Sequence, residues 1–499
     1  MKIDLPDFRL GALLGCALLL AGCALVHNDT APHAMIPPEQ IRLADNLHLA
    51  RDGWPDAQWW KRYGDAQLDT LIDRAFAGSP TVAIAQTRIS QARSQADLLR
   101  AGSGLQVSAF ALLNEQRASA NGLLGPYALN LPRLGITGPW YTEGALGLVT
   151  DLNIDLWGMH RAAVEAALGV RNARAAEAAA VELDVAAGVA QLYFSMQGTW
   201  QMLDLLRQSK AALEFAAQSH QGKVARGLES QVPLHASRAQ VLAIDRQIVA
   251  AEAQVKETRE TLRALIGAGP DDMPEIRPVP LPPIAATLPQ SLSYELLARR
   301  PDLQAMRWYV QSSFSQIDSA KAAFYPRFDI KALIGLDALH LNKLFQSGSQ
   351  QINLIPGLYL PIFDSGRLNA NLHGTRAASD MMIEQYNQAV LNAVRDVAIN
   401  ATRLQALDDE WAVQAERVEA TRFAQQSAQA LYQQGLGSRQ LATEAQLPLL
   451  AEQMAQLMLA SQRVAADIAL TKALGGGYTA ERPAKDELAS AAPRDGGKQ

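Results

Sequence analysis

The chain has 499 residues, 48% of them hydrophobic but only 6% aromatic, and the apolar share is weighted to alanine, the residue of long, closely packed helices. A net charge of −5 and a pI near 6.0 argue against the basic face that nucleic-acid binding needs. Only two cysteines are present, too few for a disulfide framework.

At the N-terminus, Lys2 and Arg9 precede an apolar run from Leu10 to Leu20. That run is too short to span a bilayer but suits a signal-peptide core. It ends in Leu20-Ala21-Gly22-Cys23, which resembles the bacterial lipoprotein box. Residues 1–22 therefore read as a lipoprotein signal peptide and Cys23 as the lipidated first residue, an ordinary signal with a chance cysteine being the alternative. Buried acyl chains contribute about 0.8 kcal/mol per methylene, so several would anchor the chain firmly. Residues 23–63 read as a lipid-anchored N-terminal segment. No later stretch reaches about 18 apolar residues, so no transmembrane helix is expected.

Trp54, Trp59, Trp60 and Tyr63 cluster before a helix through Leu68, Leu71, Ile72 and Ala75, which Gly78-Ser79-Pro80 interrupts. A strand-like run then leads past Trp157-Gly158 into a helix over 160–222. Gly227-Leu228-Glu229-Ser230 breaks that helix, and a second one ends near Gly267. After a Pro-rich linker at 270–289, the same order recurs roughly 208 residues later. Arg300-Pro301 breaks a helix, Phe363-Asp364-Ser365-Gly366 opens another over 367–434, Gly435-Leu436-Gly437-Ser438 breaks it, and a last helix closes at Gly475-Gly476. Two fused repeats, 64–269 and 290–478, fit this pattern, with a disordered tail at 479–499. The helices keep heptad spacing, as at Val185, Val189, Leu192 and Met196, or at Val390, Val394, Val397 and Ala401, which predicts side-by-side packing like coiled coils.

Between the helices lie four runs of about ten residues with period two: Leu105–Leu113, Leu146–Leu156, Phe328–Asp337 and Ile352–Ile362. Each sets an apolar face against a polar one, as a membrane β-barrel strand does. A half-buried soluble sheet has the same period. Closure arithmetic favours the barrel: bacterial barrels begin at about eight strands, and a trimer of four-stranded chains would supply about twelve.

Chemistry is hard to place. The eight histidines are scattered, with no His-Glu-x-x-His, no P-loop and no Gly-x-Ser-x-Gly elbow. The chain reads as a non-enzyme without metal or cofactor, apart from covalent lipid on Cys23. Two rivals are a periplasmic adaptor, which also uses long helical hairpins, and a structural envelope tether.

Taken together, Trp59-Trp60, Arg300-Pro301-Asp302-Leu303, Phe324-Tyr325-Pro326-Arg327-Phe328, Leu360 through Leu368 and Lys472-Ala473-Leu474-Gly475-Gly476-Gly477 resemble the TolC/OprM-like outer-membrane efflux factors, lipoprotein branch. The resemblance covers roughly residues 54–478. It implies a mixed α/β membrane protein of mainly long helices. Three chains would form a twelve-stranded barrel in the outer membrane, joined to a twelve-helix barrel crossing the periplasm. Its implied partners are a periplasmic adaptor, an inner-membrane transporter and outer-membrane lipid, with no nucleic acid. The helix breaks at Gly227, Leu228, Ser230 and at Gly435, Leu436, Ser438 would be the tips that meet the adaptor, although the leucines have a plainer role open to them, stapling the turns. Tyr432, Gln440 and Glu444 fall at the implied pore gate, Tyr432 with a phenol able to bond across to a neighbouring helix. Two departures stand out: Pro233-Leu234 replaces the usual Asp-Val pair, and Glu444 replaces an aspartate before Ala445-Gln446.

Overall fold

The computed structural model describes residues 33–37, 53–117, 119, 121, 140–284, 296 and 299–479. The signal peptide, Cys23 and most of the tail lie outside the described residues. In chain order the elements are α1 (Ala66–Gly78), α2 (Pro80–Gly102), β1 (Gln106–Arg117), β2 (Trp140–Ile154), α3 (Met159–Ala225) and α4 (Gln231–Leu265). They continue with α5 (Pro301–Ala322), β3 (Arg327–Ala338), β4 (Gln350–Tyr359), α6 (Arg367–Gln433), α7 (Arg439–Glu444) and α8 (Gln446–Ala473). No helix among the described residues is long and apolar enough to cross a membrane. The chain forms two compact units, each drawing on both halves of the sequence: Met1–Ala34 with Ser90–Asn172 and Trp308–Glu384, and the remainder.

The first unit holds one antiparallel sheet in the order β1-β2-β3-β4. Its register aligns Leu148 with Ile334 and Ile334 with Ile352, which puts most apolar residues of β2, β3 and β4 on one face, while Leu112, Val149, Leu333 and Ile355 fall on the other. On that face Ile352 and Leu354 are 73% and 71% exposed. The other face carries Asp151 beside Lys331 at 3.9 Å and Asn114 donating to Glu143 at 3.2 Å. A sheet that leaves large apolar side chains exposed beside a polar face departs from the ordinary soluble sheet.

The strands differ from the sequence expectation at their ends. β1 and β2 run on to Arg117 and back to Trp140, because the ladder continues through Arg117↔Trp140. β2 stops at Ile154, short of Leu156, because Asp155 turns to accept from the Arg161 N–H at 2.9 Å at the start of α3. β4 stops at Tyr359, short of Ile362. Pro361 has no N–H to donate, and Asp364 caps α6 by accepting from Gly366 and Leu368 at 3.0 and 2.9 Å. The Trp157 indole donates to the Pro326 carbonyl at 2.9 Å and stacks on Tyr325, fixing the exit of β2 against the entry of β3.

In the second unit, Trp59, Leu68, Leu71, Ile72, Tyr193 and Ile468 form the centre of the core. Asp65 caps α1 through the Gln67 N–H at 2.9 Å and accepts from the Tyr193 hydroxyl at 2.5 Å; burial and that bond push the Tyr193 phenol up. Buried Asp467 accepts from Arg62 and from Tyr63, both at 2.6 Å. Burial raises its carboxyl above the ordinary range, with Arg62 and Tyr63 pulling the other way. The Pro-rich linker is strapped down: Gln67 and Gln197 bond the backbone of Arg277 and Val279, and Met273, Ile276 and Val279 pack on the core. One contact is made twice. Gly267 (φ 70°) presses on the Gly78 carbonyl just before Pro80, and Gly475 (φ 90°) presses on the Arg299 carbonyl just before Pro301. A Cβ on either glycine would collide with that oxygen.

A charge on the exposed apolar face, Leu354→Arg, should cost about 2–4 kcal/mol if that face meets a bilayer near its middle. Asn353→Arg on the polar face should be tolerated. Unfolding titrations in lipid would compare the two, and equal losses would mean the sheet does not border hydrocarbon.

Candidate functional site

α3 and α6, each 67 residues long, end in the same way. The Gly227 N–H bonds the Val224 carbonyl and Leu228 reaches back to Lys223 at 2.9 Å. In the second half Gly435 bonds Tyr432 and Leu436 reaches Leu431 at 2.9 Å. This is the Schellman pattern, which needs a left-handed residue after the helix; glycine supplies it with φ of 72° and 74°. The following leucines, Leu228 and Leu436, are 73% and 74% exposed. Ser438 caps α7, its hydroxyl accepting from the Leu441 N–H at 3.1 Å. Ser230 occupies the matching cap of α4 without a side-chain bond.

The second returning helix is cut in two, which the sequence reading missed. α7 ends at Glu444 and α8 starts at Gln446. Pro448 explains the break, since it lacks an N–H and its ring crowds the carbonyl four residues earlier, that of Glu444. Pro233 does no such damage, because it occupies the first turn of α4, where the N–H has no helical partner anyway.

Gln440 is the node of the site. Its amide oxygen accepts from Lys223 Nζ at 2.7 Å and from the Ser219 hydroxyl at 3.1 Å. Its nitrogen donates to Glu444 Oε1 at 2.8 Å and lies 3.3 Å from His220 Nε2. His220 Nδ1 lies 2.7 Å from Glu229 Oε2 in the first turn. Because Lys223 and Glu444 fix which end of the amide is oxygen and which is nitrogen, His220 Nε2 must accept, leaving Nδ1 to donate to Glu229. One chain of bonds thus joins both helix breaks. Arg439 adds a cation–π contact over Phe215 at 4.7 Å.

Of the predicted gate residues, Gln440 and Glu444 are brought together, and both are half-buried. Tyr432 is on the exposed side of α6, and among the described residues its phenol bonds nothing in its own chain. Ser219, His220, Lys223 and Glu229 were not anticipated. Their spacing on α3 puts the first three on one helix face, but nothing in the sequence pairs that face with Gln440. Among the described residues no cluster of three His, Cys, Asp or Glu could hold a metal ion.

The chain matches the family model of the outer membrane efflux protein over residues 71–268 and 292–476. It is 63% identical over 477 residues, 96% of this chain and 98% of the relative, to the multidrug resistance outer membrane protein MdtP of Escherichia coli strain K12. It is 40% identical to the multidrug resistance outer membrane protein MdtQ of Escherichia coli O157:H7, covering 92% of this chain and 96% of that one. Among solved structures, the outer membrane protein VceC from Vibrio cholerae superposes with a TM-score of 0.74 at 29% identity, covering 85% of this chain and 100% of that chain. The Campylobacter jejuni CmeC outer membrane channel gives 0.79 at 18% identity, over 93% and 97% of the two chains; at that identity it speaks for the fold alone.

Gln440→Ala removes the node and should loosen α7 by about 1–3 kcal/mol. Amide exchange over residues 439–444 should then speed by about tenfold or more, while the centre of α8 stays protected. Unchanged exchange across α7 would mean that the network does not hold it.

Proposed function

The chain belongs to the outer membrane efflux protein family, and from that premise we propose that it is the exit duct of a tripartite multidrug efflux pump. It conducts drugs and other toxic small molecules passively from an inner-membrane transporter and a periplasmic adaptor to the cell exterior. It performs no chemistry of its own, and the transporter supplies the energy. One observation carries the reading: an antiparallel sheet with its apolar face exposed, its polar face bearing Asp151, Lys331 and Glu143, and two edges, β1 and β4, without a further strand among the described residues. Such a sheet suits lipid on one side and water on the other, and three copies would close it into a barrel of about twelve strands. The adaptor reading offers no place for such a sheet.

The paired helix breaks support the adaptor contact. Two leucines at matching positions are held out on rigid turns, where an apolar groove on a partner can take them. Glu444, repeated three times around the axis of a trimer, would place a ring of carboxylates at a constriction, favouring cations. Tyr432 would then find its hydrogen bond on a neighbouring copy, and Gln440 would hold the closed state. The lipid on Cys23 adds an anchor beside the barrel's own apolar belt.

Leu228→Asp or Leu436→Asp should abolish export in drug-susceptibility assays, while the protein is recovered from the outer membrane in its normal assembly. Loss of assembly together with export would assign the leucines to folding and not to docking. Labelled palmitate should enter the wild type and not Cys23→Ser; equal labelling of both would remove the anchor.

A further inference from the structure

The Pro-rich linker does more than close the core. Gln201 of α3 donates to the Val279 carbonyl at 3.2 Å, which sets Pro280 and Leu281 along one side of a groove in the second unit. α3, α6 and α8 supply the other polar and aromatic groups of its wall: Asp204, Trp411, Gln453 and Gln456. The groove encloses about 460 Å³, inside the range of sites that take small molecules. Its floor is apolar and includes buried Leu457 beside Leu281.

The polar rim is unpaired. Gln453 and Gln456 are half-buried, and among the described residues neither amide has a hydrogen-bond partner. The Trp411 indole N–H has none either. Asp204 accepts once, from the Gln208 amide at 2.8 Å, and keeps further lone pairs free. Fully buried glutamines nearby are paired: Gln197 donates to the Arg277 carbonyl at 3.0 Å and Gln414 to Glu452 at 2.7 Å. Polar groups set into a groove without a partner in the chain are left for water or a ligand.

Trp411 is also held ready. Arg463 stacks on its ring at 4.9 Å and is itself fixed by Asp408 at 2.6 Å. The guanidinium covers one face of the indole, and the rest of the ring lines the groove. A plate that is already ordered loses little entropy on binding.

This chemistry selects among ligands. Asp204 alone is charged among the described residues of the lining, so a phosphate or carboxylate ligand would find no cation. A planar aromatic drug would meet one plate and leave the amides unpaired, at a cost in affinity. A sugar meets both demands: its C–H face lies on an aromatic ring and an apolar floor, and its hydroxyl and acetamido groups both donate and accept.

We propose that the groove binds a neutral glycan of N-acetylated amino sugars. Trp411 is its stacking platform, and Gln453, Gln456 and Asp204 are its hydrogen-bonding edge. The site lies within one chain and is separate from conduction. It would tether the helices to glycan strands in the compartment they cross, and that role, unlike the binding itself, rests on the duct reading.

The test is calorimetric titration of the full chain in nanodiscs, free of sugar-based detergent, with the N-acetylglucosamine oligomer chitotetraose. The wild type should bind saturably and Trp411→Ala should not. Gln453→Leu with Gln456→Leu, which keeps bulk and helix propensity, should weaken binding about tenfold or more. Cellotetraose, which lacks acetamido groups, should bind less well. No saturable binding by the wild type, binding that every variant retains, or equal affinity for cellotetraose would overturn the proposal. Binding of ethidium in place of chitotetraose, lost in the same variants, would assign the groove to a planar cationic cargo and also overturn it, while the duct reading stands. Export in drug-susceptibility assays should be unchanged in the double leucine variant; its loss with normal assembly would put the groove in the conducting path, against the proposal. Absence of export in the wild type would overturn the duct reading and leave the glycan result untouched.

Discussion

Backbone N–H and C=O groups must be paired wherever water cannot reach them, and in hydrocarbon each unpaired group costs several kcal/mol. The four-stranded sheet of this chain satisfies its interior ladders, and among the described residues β1 and β4 each have a partner strand on one side only. One of its faces exposes large apolar side chains, and the hydrocarbon that would suit that face is the environment that forbids open edges. A soluble protein would blunt such edges with charge or cover them. On the duct reading proposed above, the resolution comes from more strands, supplied by further copies of the chain.

The tips obey a different constraint. Glycine at 227 and 435 closes each reversal by left-handed geometry, which frees the next residue from any packing duty and lets Leu228 and Leu436 point outward. The cut at Ala445, imposed by Pro448, isolates a six-residue helix tied to the rest by the Gln440 network, the Ser438 cap, buried Ala442 and Arg439 over Phe215. A short, polar-tethered segment next to a long helix is the part of the layer with the least local stability.

Much of this was readable from periodicity. The long helices expected at 160–222 and 367–434 span Met159–Ala225 and Arg367–Gln433, because sustained heptads and turn glycines leave little freedom about where they run. The face of each strand was equally plain, since a shift of one residue would turn every apolar side chain inward. The failures have local causes. Strand ends were missed because Asp155 and Asp364 leave the ladder to cap helices. The break at Ala445 was missed because proline acts on a carbonyl four residues back. The linker looked loose because the amides that hold it, Gln67 and Gln197, come from helices elsewhere in the chain. The partners of Gln440 lie some 220 residues away, where a single sequence carries no signal. Pro233, which stands where the resemblance implies an acidic residue, occupies the first turn of α4, and that position is why the fold accepts it.

The central claim is that one chain is an incomplete wall, made whole only by identical neighbours. Native mass spectrometry of the protein extracted from outer membranes in mild detergent tests it most directly. The account predicts a single assembly of three chains, stable on dilution, with no population of folded monomer. A monodisperse folded monomer, or a dimer that persists on dilution, would contradict it.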